Sequence, residues 1–385
     1  MSFKGPIQEL LTIEDIERAE VRYKHVYGQA PFLLSTWNPS EYYRNTHLLN
    51  QVTFPPQGNF IDYIYSYELD EDLSAACGEK IAGPNHQAIL LTNSGTSSIS
   101  LVTSVLSALD KRRILVVSPT YFAVLYNCLH KGFSIREAHY VRQHGTYQLP
   151  REYILNTLEE TDVLWLTAPI YNSSVYLGDA ELKFLQNQVL PHIYVVVDEC
   201  FCGSGLELSR ILGNNPHFIG IYDPMKQFLI NGAKFSAVMF SPMLEGVFCD
   251  WSDIVCGGLT SSTIQALEFF LSQEADRLLK NLQSADRRIK QIVCATVSEF
   301  PSASLDIHAD GHMMMCYIPR LPSDYLRSFE DFYRFQQKTG TSIIPGTRFH
   351  FPDHDGFTFR INLARYDPIR FERALKRVLM YLSAV

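Results

Sequence analysis

Three kinds of side chain in this sequence stand where burial penalises them unless they have chemistry to do. Asp198 ends the apolar run Val195-Val196-Val197-Asp198, and a carboxylate at the end of a buried strand needs a cationic partner. A protonated pyridine nitrogen would serve. Lys226 ends Ile221-Tyr222-Asp223-Pro224-Met225-Lys226, a place where a lysine can form a Schiff base or simply be solvated. Arg360 lies inside Phe357-Thr358-Phe359-Arg360-Ile361-Asn362. An arginine within an apolar strand calls for an anion, and a carboxylate fits its bidentate fork. Thr92-Asn93-Ser94-Gly95-Thr96-Ser97-Ser98 sets small hydroxyl residues around a glycine, which suits a phosphate cradle at a helix start and equally an ordinary capped turn. It is neither G-x-G-x-x-G nor a P-loop. Tyr121 follows another apolar run and reads either as core packing or as a platform for a flat ring. Asn172 closes Pro169-Ile170-Tyr171-Asn172.

The elements that must position these residues are legible from periodicity. Ala88–Leu91, Ile114–Val117, Val163–Leu166, Ile193–Val197, Phe218–Ile221 and Phe235–Phe240 are continuous apolar runs, as expected of strands covered on both faces. Helical stretches lie between them, which predicts a mostly parallel sheet in a three-layer α/β/α sandwich. Ligands in such sheets bind at the carboxyl ends of the strands, where the residues above stand. Residues 12–26 predict a helix capped by Thr12, with Asp15 three positions on. Residues 261–300 predict a long helical connector. Strands Met313–Ile318 and Phe357–Leu363, with helices at 328–338 and 368–383, predict a smaller α/β domain. The expected division is an N-terminal lid and small-domain segment (1–45), a large domain (46–284) and a small C-terminal domain (285–385).

Composition narrows the partners. The chain has 385 residues, 46% of them apolar, and a formal charge of −8, which disfavours nucleic acid and anionic membranes. No stretch is long and apolar enough to predict a membrane span, and the start of the chain does not read as a secretory signal. Eight cysteines without a Cys-x-x-Cys pattern read as reduced thiols of a cytoplasmic protein. His350, Asp353, His354 and Asp355 look like a metal cluster, but in a proline-containing loop they read as solvated residues. His308 and His312 flank Gly311, against helical zinc spacing. No metal is expected.

In order and spacing, the chemical residues resemble the class I/II aminotransferase superfamily of fold-type I enzymes, over roughly residues 60–370. The resemblance implies a large α/β/α domain with a mostly parallel sheet plus a smaller α/β domain from the N- and C-terminal segments. It implies pyridoxal 5'-phosphate as cofactor, carried by Lys226. Ser94, Gly95 and Thr96 then match the phosphate loop, Tyr121 the ring-stacking aromatic, and Asn172 the asparagine that bonds the ring hydroxyl. Asp198 matches the pyridine-nitrogen partner, Lys234 the basic phosphate ligand, and Arg360 the carboxylate-binding arginine. A homodimer is implied as well, with Tyr65, or else Tyr67, reaching the partner's phosphate.

Three positions depart from the ordinary pattern. Phe201 stands where a tyrosine is usual, Lys234 where an arginine is usual, and Asp223 where a phosphate-binding serine is usual. A carboxylate beside a phosphate dianion is repelled, so Asp223 either caps the turn before Pro224 or faces a cation such as a guanidinium. These departures, with Phe349-His350-Phe351 and the N-terminal Thr12 and Asp15, are similar to the arginine-modifying branch of the superfamily, its L-arginine oxidases and guanidino-amino-acid cyclases. The oxidases carry a histidine after the lid glycine; here Gln29 follows Gly28, which favours a cyclase or elimination reaction over oxygen chemistry. The expected protein is therefore an enzyme of a free amino acid, arginine or a hydroxyarginine. A cyclase or dehydratase is the lead reading, an ordinary aminotransferase or an arginine oxidase the alternative.

Overall fold

The computed structural model describes residues 5–54, 64–69, 71–83, 88–143, 146–200, 207–306, 311–346 and 355–384, leaving aside the side chains of 5–11 and 207. The chain forms two compact units. The larger comprises Val52–Tyr171 and Tyr176–Lys280; the smaller comprises Met1–Gln51, Asn172–Val175 and Asn281–Val385.

The large unit is built on seven strands: β1 (Ala88–Thr92), β2 (Arg113–Ser118), β3 (Ser134–His139), β4 (Val163–Thr167), β5 (Tyr194–Asp198), β6 (Phe218–Tyr222) and β7 (Ser236–Phe240). Their order across the sheet is β1-β7-β6-β5-β4-β2-β3. Strand β7 runs antiparallel to both neighbours, and the other pairs are parallel. All residues of β4, β6 and β7 are buried, which is why these strands read as unbroken apolar runs. Trp165, Val196, Ile221 and Phe240 from the sheet share one core with Val105 and Phe248 from the helices.

The sequence reading has no counterpart for β3. Its residues, Ser-Ile-Arg-Glu-Ala-His, are mostly exposed or half-buried, because an edge strand has one neighbour and needs no continuous apolar run. The predicted connector at 261–300 is two helices, Ser261–Leu271 and Gln273–Ser298.

In the small unit, the N-terminal helix spans Gly5–Tyr27. Thr12 therefore sits inside it and does not cap it: the helix begins seven residues earlier than its hydroxyl suggested, and Thr12 is buried. This helix lies along Phe329–Thr339, with the Arg22 guanidinium 4.3 Å from the Tyr333 ring centroid. A four-stranded antiparallel sheet follows the order Ser304–Leu305, Met313–Ile318, Phe357–Asn362, Pro345–Gly346. Residues 172–175 group with this unit although the chain on either side belongs to the other. Among the described residues no helix is long and apolar enough to cross a membrane.

Candidate active site

In the large unit the predicted residues gather at the carboxyl ends of the strands. After β1, Ser94 caps the helix Gly95–Ala108: its hydroxyl accepts the Ser97 N–H at 3.2 Å. Gly95 is buried, with little room for a side chain. A Cβ there would lie 2.9 Å from Cys200 Sγ and 3.5 Å from Asp223 Oδ2. Thr96 is exposed. After β2, Tyr121 begins the helix Phe122–His130, half-buried, with its ring centroid 6.1 Å from that of Tyr171. After β5, Asp198 is 1% exposed and accepts the Cys200 N–H at 3.0 Å.

After β6 the chain enters a single turn of 3₁₀ helix at Pro224–Lys226, with Asp223 as its N-cap residue. Lys226 Nζ lies 3.9 Å from Asp223 Oδ2 and 6.0 Å from the Tyr121 ring centroid. Burial alone would pull the Lys226 ammonium down. The acidic surroundings of Cys200, Asp223, Asp198 and Tyr121 outweigh it and carry the lysine up to about 12. Asp223 is 4% exposed, and burial pushes its carboxyl above the usual range against the pull of Lys226, Lys234 and the N–H groups of Gly95 and Met225. Its Oδ1 is buried with no hydrogen-bond partner among the described residues. Lys234 is exposed. Tyr65 stacks on Tyr67, centroids 5.3 Å apart.

Two members of this cluster escaped the sequence reading. Cys200 lies against Gly95, and burial, then the Asp198 charge, raises its thiol well above the ordinary value. Glu199 is 1% exposed, accepts a hydrogen bond from Ser209 and is pushed up to about 8 by burial. Neither pairing follows from local sequence, because Cys200 meets Gly95 only through the fold and Glu199 meets Ser209 ten residues on.

The small unit holds the other predicted residues. Arg360 is 4% exposed. Its Nε donates to the Ser35 carbonyl at 2.8 Å and its Nη1 to Asn172 Oδ1 at 3.1 Å. Asn172 reaches it from a left-handed backbone, φ 65°, a conformation asparagine tolerates better than most residues. Asp15 pairs with Arg18 on its own helix at 3.4 Å. Phe201, His308, Phe349, His350, Phe351, Asp353 and His354 lie outside the described residues.

A mostly parallel seven-stranded sheet in one unit and an antiparallel sheet in the other define the fold-type I aminotransferase fold. A double mutant of the aspartate aminotransferase of Thermus thermophilus matches with a TM-score of 0.75 at 16% identity, over 97% of this chain and 96% of that one. A pyridoxal-phosphate-bound C-S lyase of Staphylococcus hominis matches with a TM-score of 0.70 at 16% identity, over 92% of this chain and 88% of that one. In sequence, 88 residues are 31% identical to a histidinol-phosphate aminotransferase of Anoxybacillus flavithermus (strain DSM 21510 / WK1), a match spanning 23% of each chain. No family model matches the chain.

Proposed function

We propose that the protein is a pyridoxal-phosphate-dependent enzyme of a free L-amino acid whose side chain is cationic, arginine or a hydroxyarginine. The cofactor half rests on the large unit. A buried acid at the end of β5 and a partly exposed lysine after β6, with an aromatic ring 6.0 Å from its Nζ, fit the pyridine nitrogen, the aldehyde and the ring face. When bound, pyridoxal phosphate supplies an electron sink. Asp198 holds the proton at the ring nitrogen, and Tyr121 covers the ring. Ser94, Gly95, Thr96 and Lys234 hold the phosphate, joined in a homodimer by Tyr65 of a second copy. Asn172 donates to the ring oxygen. Lys226 carries the cofactor and, once displaced, moves the proton at the substrate Cα. Arg360 holds the substrate carboxylate with its fork.

The single observation that supports the cationic substrate is Asp223. A buried carboxylate with one oxygen that meets no donor among the described residues is costly, and a guanidinium supplies both donors and charge. Thr12 and Asp15 are the further residues assigned to that end of the substrate. The lead reaction, for a substrate hydroxylated at Cγ, is a cyclisation: the Cγ–O bond breaks and the hydroxyl leaves as water, while a guanidine nitrogen forms the new Cγ–N bond and gives up its proton, with no net oxidation or reduction. The local identity to a histidinol-phosphate aminotransferase favours ordinary transamination as the second reading, with arginine oxidation a third. Mass spectrometry of products from arginine and hydroxyarginines, with and without a keto acid or oxygen, separates the three. A cyclic guanidino product formed without keto acid supports the lead, and turnover that strictly requires a keto acid overturns it.

A further inference from the structure

Arg360 is built into its unit more elaborately than a carboxylate ligand requires. Its guanidinium carbon stands 4.6 Å from the ring centroid of Trp37, a half-buried indole on an irregular segment. That segment is fastened carbonyl by carbonyl to the strand bearing Arg360 and to the turn after it. The Leu33 and Asn38 oxygens accept from Arg365 at 2.7 and 2.8 Å. The Leu34 oxygen accepts the Asn362 N–H at 3.1 Å. The Ser35 oxygen accepts Arg360 Nε, and the Ser35 hydroxyl donates back to the Arg360 carbonyl at 2.5 Å. The Thr36 and Trp37 oxygens accept from Asn362 Nδ2 at 2.6 and 3.3 Å. Arg360 and Asn362 are two apart on one strand and so project from the same face.

From this geometry we infer that Trp37 is a positioning residue for Arg360: its indole fixes the plane of the guanidinium and so sets how strongly the protein prefers a ligand bearing a carboxylate. An indole is the best cation–π partner among the side chains, and the attraction grows where water is excluded. Guanidinium also keeps its fork in plane while stacked, so stacking on one face and bidentate bonding at the edge are compatible. The clamp on residues 33–38 holds the indole where a free loop would let it rotate away. This inference rests on the proposed role of Arg360 as carboxylate ligand.

The experiment compares each L-amino acid that binds the pyridoxal-phosphate-loaded protein with its own decarboxylated amine. Binding is followed by the absorbance of the bound cofactor, in wild type and in Trp37→Tyr, Trp37→Phe and Trp37→Leu. The expected result is a preference for acid over amine that falls in the order Trp, Tyr, Phe, Leu, reaching roughly ten-fold below wild type in Trp37→Leu. Amine binding and pyridoxal phosphate affinity should stay within about two-fold, an effect size a cation–π loss of this kind allows. Should the leucine variant not fold, the Tyr and Phe variants, which keep an aromatic face, carry the test. A preference identical in all folded variants overturns the role of Trp37 while leaving Arg360 in place. A wild type that binds acid and amine equally overturns the carboxylate reading of Arg360, and this inference with it.

Discussion

Asp223 Oδ2 lies 3.9 Å from Lys226 Nζ, while Oδ1 of the same buried carboxylate meets no hydrogen-bond donor among the described residues. One side chain thus faces the proposed cofactor lysine and still has an acceptor to satisfy. The half that is satisfied explains why the carboxylate survives burial, and the other half indicates what the protein selects.

If a guanidinium fills that role, Asp223→Asn removes the charge while keeping the shape. Wild type should bind arginine more tightly than citrulline or norleucine. The asparagine variant should lose about 1.5–3 kcal/mol of arginine affinity and little of the others. Titrations followed by cofactor absorbance check this, and equal binding of arginine and norleucine by wild type would sink the cationic-substrate reading.

Lys226 should be the attachment point of the cofactor. Reducing the loaded protein with borohydride and mapping peptides should place a pyridoxyl group on Lys226, and Lys226→Ala should abolish the label. Label on Lys234 instead would reverse the two lysine assignments.

Glu199 makes stability depend on pH. A carboxyl whose folded-state pKa exceeds its unfolded value stabilises the fold while protonated. That contribution is complete below the unfolded value, about 4.3, and is lost as pH rises through about 8. Glu199→Gln keeps an acceptor for Ser209 and cannot ionise. Between pH 6 and pH 9 the wild type should therefore lose stability relative to this variant, on the order of 3 kcal/mol. Parallel denaturant melts at each pH measure the difference, and parallel pH curves would show that Glu199 is ionised throughout.

Gly95 and Cys200 should be coupled. In Gly95→Ala the new methyl would sit 2.9 Å from Cys200 Sγ, an overpacking that costs about 1–3 kcal/mol. Adding Cys200→Ala removes the sulfur and should recover most of that loss in a double-mutant cycle. Additive losses would place the strain elsewhere.

The large sheet was legible wherever its strands are apolar runs: β2 and β4–β7 lie inside the sheet, and the edge strand β1 still buries three of its five residues. Strand β3, at the opposite edge, was not, because it answers to one neighbour and keeps its residues mostly exposed or half-buried. The beginning of the N-terminal helix was misjudged for a related reason: Thr12 is a good cap in isolation, but helix length is decided by what packs along it, here Phe329–Thr339.

By itself the sequence determined which residues end the strands, and hence Asp198, Lys226 and the helix cap at Ser94, because strand ends are local features of periodicity. Only the tertiary structure decided what those residues meet. Asn172 and Arg360 are 188 residues apart, and Trp37 and Arg360 lie further apart still, joined through a strand and a clamped segment with no common pattern. Asp223 became informative only when one of its oxygens proved buried with no donor among the described residues. Such pairings depend on which chain segments the fold lays side by side. Local periodicity carries no information about that, since the free energy that selects it is shared across the whole packed core.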